Sequence, residues 1–121
     1  MARRRPTMNR VSALIVSLVL LLGGCGGTLP PETHLTVTFT AAGFSPTQLE
    51  VRRGDQVVIT FQNRDQVGHT LTLELPTGRR AVAAEPKVDA ILNFPANEPG
   101  SLRFFCAVPG HTEEGQLVIR P

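Results

Sequence analysis

The sequence lacks a hydrophobic run long enough to cross a membrane. Its longest uncharged apolar stretch, residues 11–22, has twelve residues, whereas a spanning helix needs about 20. Four arginines precede this stretch and small residues follow it, a pattern typical of a secretory signal peptide. We therefore expect residues 1–24 to be a signal peptide. The alternative is a short membrane anchor that is never removed.

The chain also lacks a strong excess of charge of either sign. It has 12 basic and 10 acidic side chains, and four of the arginines lie in the expected signal peptide. The mature chain would then carry a net charge near −2. The basic character of the whole sequence belongs to the targeting segment, so no nucleic-acid partner is expected.

Cysteine is scarce, with two residues in the chain. Cys25 follows Leu22 and two glycines, which resembles the lipobox of bacterial lipoproteins, and this resemblance implies lipid attachment at Cys25. The alternative is an ordinary secreted protein with Cys25 near the cleavage site. Acyl chains would hold the protein at a membrane surface, and residues 25–33, which contain Gly and Pro, would form a short tether. Lipidation leaves Cys106 without a disulfide partner, and an unpaired thiol outside the cytoplasm indicates metal ligation or an inert buried residue.

Helical periodicity is nearly missing from the rest of the sequence. Short segments instead alternate apolar and polar residues and are separated by Gly, Pro, Asn and Asp. We expect residues 34–121 to form one all-β domain, a sandwich of about seven to eight strands. Residues 76–87, with two prolines and paired arginines, are expected to be a loop or an irregular edge segment.

One segment near the end of the chain combines residues suited to metal chemistry. Cys106 ends an expected strand, a tight loop with Pro109 and Gly110 follows, and His111 comes five residues after the thiol. His69 begins another strand, and antiparallel pairing can bring the two strand ends together. Two imidazoles and a thiolate, with a weak axial Met or Gln, are typical of electron-transfer copper, although zinc accepts the same ligands.

These residues lie in a pattern that resembles the cupredoxin family, in particular its small plastocyanin-like and phytocyanin-like members. The resemblance covers roughly residues 34–121 and implies a Greek-key β-sandwich with one copper ion. The motifs that carry it are Phe44-Ser-Pro, Leu49-Glu-Val, Gly54-Asp-Gln-Val-Val, Phe61-Gln-Asn63 and, most specifically, Phe104-Phe-Cys-Ala-Val-Pro-Gly-His111.

The resemblance implies His69, Cys106 and His111 as equatorial copper ligands and leaves the axial ligand open. The spacing C-x4-H-x4-Q of some phytocyanins predicts Gln116. If Gly115 instead matches the later glycine of other relatives, the loop is shorter. Glu113 or Glu114 would then lie nearest the copper, or the axial position would have no ligand.

We therefore expect a copper-binding electron-transfer protein of the cell envelope, monomeric and not an enzyme. It would be lipid-anchored in the cell membrane or outer membrane, facing the periplasm or the exterior. Redox partner proteins would dock on the apolar loop around His111. The alternatives are a copper-binding or copper-delivery protein with the same ligands, and a thiol nucleophile in which His111 acts as the base for Cys106.

Overall fold

The computed structural model describes residues 29–121, and these form nine β-strands without a helix. The expected all-β class is confirmed. The strands are β1 (Glu32–Thr40), β2 (Gly43–Ser45), β3 (Gln48–Arg52), β4 (Gln56–Asn63), β5 (His69–Leu75), β6 (Gly78–Ala84), β7 (Asp89–Pro95), β8 (Gly100–Phe105) and β9 (Glu114–Arg120).

Strand β6 corrects the expectation of a loop or irregular segment at residues 76–87. It pairs with β5 along its whole length, from His69 opposite Ala84 to Leu75 opposite Gly78. Because β6 is the last strand of its sheet, most of its side chains are exposed. It therefore carries no apolar alternation from which a strand could be predicted.

The strands form two sheets that pack face to face. One has the order β2-β1-β4-β7 and the other the order β3-β9-β8-β5-β6. The pairs β1/β4 and β3/β9 are parallel, and the remaining neighbours are antiparallel. This arrangement confirms the predicted β-sandwich.

The core lies between the sheets and follows the period-2 pattern of the sequence. In β1, Val37 and Phe39 are buried, and Leu35 on the same face is partly buried. Apolar residues of both sheets meet here, and the largest fully buried side chains among them are Phe39, Phe61, Phe94, Phe104, Ile59, Leu71, Leu73 and Leu117. A close-packed aromatic and aliphatic core of this kind holds the strand ends in fixed positions.

Antiparallel pairing brings the expected metal ligands to one end of the sandwich. Strand β5 begins at His69, and its neighbour β8 ends at Phe105, directly before Cys106. Thr72 lies opposite Phe105 in this pair, so the start of β5 and the end of β8 are adjacent. The loop from β8 to β9 then places His111 above the same sheet edge.

The start of the chain lies outside the described residues, including the expected signal peptide and lipid-attachment residue Cys25. Strand β1 begins at Glu32 and pairs with Gln56, two residues before the expected domain boundary at His34. Within residues 29–121, no helix is long and apolar enough to cross a membrane.

Candidate metal centre

Three side chains at this end of the sandwich point their potential metal ligands at one another. Cys106 Sγ lies 3.7 Å from His69 Nδ1 and 3.5 Å from His111 Nδ1. All three ligand atoms lie within 4.8 Å of one another. The structure thus brings together three of the four predicted ligands from two separate parts of the chain.

Cys106, the first residue after β8, is buried, with 3% of its surface exposed. The backbone N–H of Thr70 donates a hydrogen bond to its sulfur at 3.5 Å, and the Thr70 hydroxyl lies 3.8 Å from the same atom. The hydroxyl also accepts a hydrogen bond from the backbone N–H of Ala107 at 2.7 Å. Thr70 therefore fixes the start of the loop and directs donors at a sulfur that would carry negative charge as a ligand.

His69 is held on both sides of its ring. Its Nε2 lies 2.7 Å from Asp65 Oδ2, and this hydrogen bond, with a second from the backbone N–H of Gln66, lowers the pKa of Asp65. An ionised carboxylate only accepts hydrogen bonds, so Nε2 carries the proton and Nδ1 keeps a lone pair facing Cys106. The ring also stacks on Phe39, with ring centroids 3.7 Å apart.

Asn63, which is fully buried, organises the loop that carries Asp65. Its side-chain amide donates to the backbone carbonyls of Val67 and Ala84, at 2.8 and 2.9 Å. Its Oδ1 accepts a hydrogen bond from the backbone N–H of Asp65 at 3.0 Å. One side chain thereby joins the end of β4, the β4–β5 loop and the end of β6.

His111 lies on the β8–β9 loop and is more exposed than His69. Its backbone N–H donates to the Val108 carbonyl at 3.0 Å, closing a turn within the loop, and its side chain is 24% exposed. The Cys106 N–H donates to the Glu113 carbonyl at 3.2 Å and closes the loop at its base. The side chain of Glu113 reaches toward the ring, with Oε2 3.8 Å from His111 Nδ1.

The structure does not bring Gln116, the predicted axial ligand, to these three residues. Gln116 lies in β9 between Gly115 and Leu117, which are both buried. Its own side chain is exposed on the outer face of the sheet, beside Arg103 and Glu114. Alternation along a strand places neighbouring side chains on opposite faces, so Gln116 faces away from the cluster.

Gly115 fixes the register that turns Gln116 outward. A Cβ atom at this position would lie 2.2 Å from Phe104 Cζ and 2.6 Å from the Thr47 carbonyl oxygen. The backbone N–H of Gln116 also donates to that carbonyl at 2.8 Å. Only glycine fits where β9 approaches its neighbours so closely, so the inner position belongs to Gly115.

Comparisons with known proteins agree with this architecture. The family model of the cupredoxin-like domain matches residues 13–119. The chain belongs to the cupredoxin-like family. No curated protein sequence matches the chain.

Among solved structures, similarity extends to auracyanins and to copper enzymes. An auracyanin from Roseiflexus castenholzii has a TM-score of 0.68 and 16% identity, over 75% of this chain and 99% of that one. Auracyanin A from Chloroflexus aurantiacus, described as a "blue" copper protein, has a TM-score of 0.62 and 21% identity, over 74% of this chain and 99% of that one. A copper-containing nitrite reductase from Thermus scotoductus SA-01 has a TM-score of 0.60 and 28% identity, over 74% of this chain but 28% of that one.

The donor set of this cupredoxin-like domain fits one copper ion. A thiolate and two imidazoles within mutual reach are the equatorial set of electron-transfer copper sites. The Nδ1 atoms of both histidines face the sulfur, and His69 is held in the tautomer that a metal ligand needs.

Two residues that matter to this site were not singled out from the sequence. Asp65 belongs to none of the motifs described above, and Asn63 appears there only as the last residue of Phe61-Gln-Asn63. Their partners are a buried ring nitrogen and backbone carbonyls of Val67 and Ala84. The bond from Asn63 to Ala84 spans 21 residues and leaves no local pattern in the sequence. Asp65 lies only four residues before His69, and this spacing is the one signal that could have identified it.

Proposed function

We propose that this protein is an electron carrier that binds one copper ion through His69, Cys106 and His111. The observation that carries the proposal is the convergence of the three ligand atoms within 4.8 Å at one end of the sandwich. It is the single cluster of metal-binding His, Cys, Asp and Glu side chains found among residues 29–121. The similarity to auracyanins over nearly their whole length supports a carrier.

A copper ion bound there would supply one-electron chemistry, accepting an electron from one partner and passing it to another. The role of the chain is to keep the ligands in place while the charge changes. Cys106 and His69 are 3% exposed, and hydrogen bonds from Thr70 and to Asp65 hold them. Ligands that need not move favour electron transfer over the reversible release required for copper delivery.

The proposed docking surface for redox partners lies around His111. We define the rim as Val67, Ala107, Val108 and Pro109, which lie on the two loops that carry the ligands. Val67 is 52% exposed, Ala107 and Pro109 are exposed, and Val108 is half-buried. A small apolar rim of uncharged residues suits the brief encounters of electron-transfer proteins.

The proposed location is the cell envelope, with Cys25 carrying the lipid and the domain facing the periplasm or the exterior. The signal-like residues 1–24 and the lipobox-like Leu22-Gly-Gly-Cys25 support this location. Mass spectrometry should find a lipid on Cys25 of the mature wild-type protein and none on Cys25→Ser. A mature wild-type protein without lipid on Cys25 would contradict lipid anchoring and leave the copper site unaffected.

The copper proposal is tested by loading the protein with Cu(II) and recording its visible and electron paramagnetic resonance spectra. We expect an intense thiolate-to-Cu(II) band that is absent in Cys106→Ser. Cys25→Ser is the matched control, because it replaces the other cysteine of the chain and should keep the band. A wild-type protein without the band would overturn the proposal.

Electron transfer is separated from copper delivery by two measurements on the loaded protein. We expect fast electron self-exchange and slow loss of copper to a mild chelator. Slow exchange with ready loss of copper would favour the delivery protein. Tight Zn(II) binding together with no Cu(II) band would identify a zinc site instead.

A further inference from the structure

The carboxylate of Glu113 has an environment that is unusual for a surface loop. Its Oε2 atom is buried from solvent and makes no hydrogen bond among residues 29–121. The ion-pair partner that the described residues offer is the His111 ring, whose Nδ1 lies 3.8 Å away. The Glu113 side chain as a whole is 36% exposed, but a buried carboxylate oxygen without a hydrogen bond is costly unless a cation neutralises it. This oxygen therefore points to a missing ligand.

The backbone explains why this side chain points inward. Glu113 is the last residue of the β8–β9 loop, and its carbonyl accepts the Cys106 N–H at 3.2 Å. The next residue, Glu114, points outward and forms an ion pair with Arg103 at 2.6 Å. The two neighbouring carboxylates thus differ, because Oε2 of Glu113 is buried whereas Glu114 is exposed.

The turn between β1 and β2 closes over Glu113 from the other side. Gly43 has a φ of +100°, and a Cβ atom there would lie 3.5 Å from Glu113 Cγ. The positive φ favours glycine at position 43, and the turn packs against the Glu113 methylene groups at an ordinary contact distance. Glu113 thus lies between this turn and His111, and its buried Oε2 atom is 3.8 Å from Nδ1 of that ring.

We propose that Glu113, rather than Gln116, supplies the fourth ligand of the metal centre, as a carboxylate oxygen. This inference rests on the proposed copper function and specifies the chemistry of that site. Gln116 is excluded by its outward direction in β9, and Glu114 by its ion pair on the outer face. Of the three side chains considered, Glu113 is the one with a carboxylate oxygen near a ligand nitrogen, 3.8 Å from His111 Nδ1. It is not part of the group of three whose ligand atoms all lie within 4.8 Å of one another, so binding requires a small movement of its side chain, and an axial position without a ligand is the alternative that the test decides.

A carboxylate fourth ligand has an electrostatic consequence for the site. Together with the Cys106 thiolate it gives two negative charges, which balance Cu(II) but exceed the charge of Cu(I). The oxidised ion is therefore favoured more than it would be by a neutral thioether or amide. Oxygen is also a harder ligand than sulfur and suits Cu(II) better than Cu(I).

The test compares Glu113→Gln with Glu114→Gln, which removes the same charge from the neighbouring residue. In Glu113→Gln we expect Cu(II) affinity to fall by at least ~10-fold, the loss that weaker perturbations near a metal already cause. Cu(I) affinity should change much less, so the reduction potential should rise. The visible and electron paramagnetic resonance spectra should shift in the same variant. Glu114→Gln and Gln116→Ala should retain the wild-type values.

Apoprotein unfolding separates a ligand from a structural residue. Replacing an unpaired buried carboxylate by an uncharged amide of the same shape should leave the apoprotein as stable as the wild type, or more stable. A less stable apoprotein, with the metal-binding properties of Glu114→Gln, would overturn the assignment of Glu113.

This outcome is distinct from a failure of the copper proposal. If wild-type protein shows the thiolate-to-Cu(II) band and Glu113→Gln matches Glu114→Gln in affinity, potential and spectra, the Glu113 assignment is wrong and the copper site stands. If wild-type protein lacks the band, both are wrong.

Discussion

The two histidines of the site are supported in different ways. His69 is 3% exposed, its ring lies on Phe39, and its outer nitrogen is bonded to Asp65. His111 has a side chain that is 24% exposed and lies on a short loop closed by two backbone hydrogen bonds. The comparison indicates that the His69 side sets the geometry of the centre, whereas the His111 side is the one that meets solvent.

The largest loss of stability is expected from adding a side chain at Gly115, in the strand that follows the His111 loop. Gly115→Ala would place a methyl group 2.2 Å from Phe104 Cζ and 2.6 Å from the Thr47 carbonyl. Because a backbone atom is involved, the strain cannot be relieved by one rotamer change, and we expect a loss of about 3 kcal/mol or more in unfolding free energy. Urea denaturation of the apoprotein measures it.

Gly68→Ala is the matched control on the His69 side. Its Cβ would meet only the Ala84 carbonyl, at an ordinary 3.7 Å. We expect its urea midpoint to stay close to that of the wild type. An equal loss in both variants would show that the close packing of β9 is not the cause.

The next largest effect should come from Asn63, which organises the His69 side. Asn63→Ala removes three hydrogen bonds and leaves the Val67 and Ala84 carbonyls without their side-chain donor. We expect a loss of about 2–3 kcal/mol in unfolding free energy, measured by urea denaturation. The control is Asn93→Ala, an exposed position in β7, which should be nearly neutral. Similar losses at both positions would contradict the role of Asn63.

Asp65→Asn should affect metal binding more than folding. The amide can still approach His69 but no longer enforces a proton on Nε2, so the tautomer with Nδ1 free becomes less favoured. We expect metal affinity to fall by about 10–100-fold, as for other residues that orient a ligand histidine. Competitive metal titration measures this affinity, with Asp89→Asn, an exposed partner of Arg64, as the control. Unchanged affinity in Asp65→Asn would remove it from the support of His69.

The smallest effect is expected at the far end of β9, where Glu50 of β3 forms an ion pair with Arg120. The hydrogen bond and charge of Arg120 lower the pKa of Glu50. A carboxyl with a lower pKa in the folded state stabilises the protein above its unfolded pKa, about 4.3, and this stabilisation is lost as the pH falls through the folded pKa. Because the pair is exposed, the effect should be slight and reduced by salt.

The measurement is the difference in urea midpoint between wild type and Glu50→Gln at low ionic strength. We expect a small difference at pH 7 that shrinks below pH 4, and no change in the metal spectrum at either pH. Glu85→Gln, at an exposed position with no ion pair among the described residues, provides the control. A difference that grows as the pH falls would contradict the sign derived from the pKa of Glu50.

Most of the fold could be predicted because the alternation of apolar and polar residues within each strand can be read directly from the sequence. Leu71 and Leu73 share the buried face of β5 with His69, and Leu102 and Phe104 share that of β8 with Cys106. Those alternating runs already indicated which strand ends carry the ligands. Strand β6 was missed because an exposed edge strand does not need apolar alternation, and its pairing with β5 is visible only in three dimensions.

The sequence by itself determined an all-β domain with His69, Cys106 and His111 as candidate ligands, because residue type, spacing and alternation express these properties locally. Only the tertiary structure decided what surrounds them. Asp65 reaches His69 through a loop that Asn63 holds. The tight fit at Gly115 turns Gln116 outward, and the loop before β9 buries one oxygen of Glu113. The inward or outward direction of a side chain at a loop end depends on strand register, and register is set by contacts between distant segments.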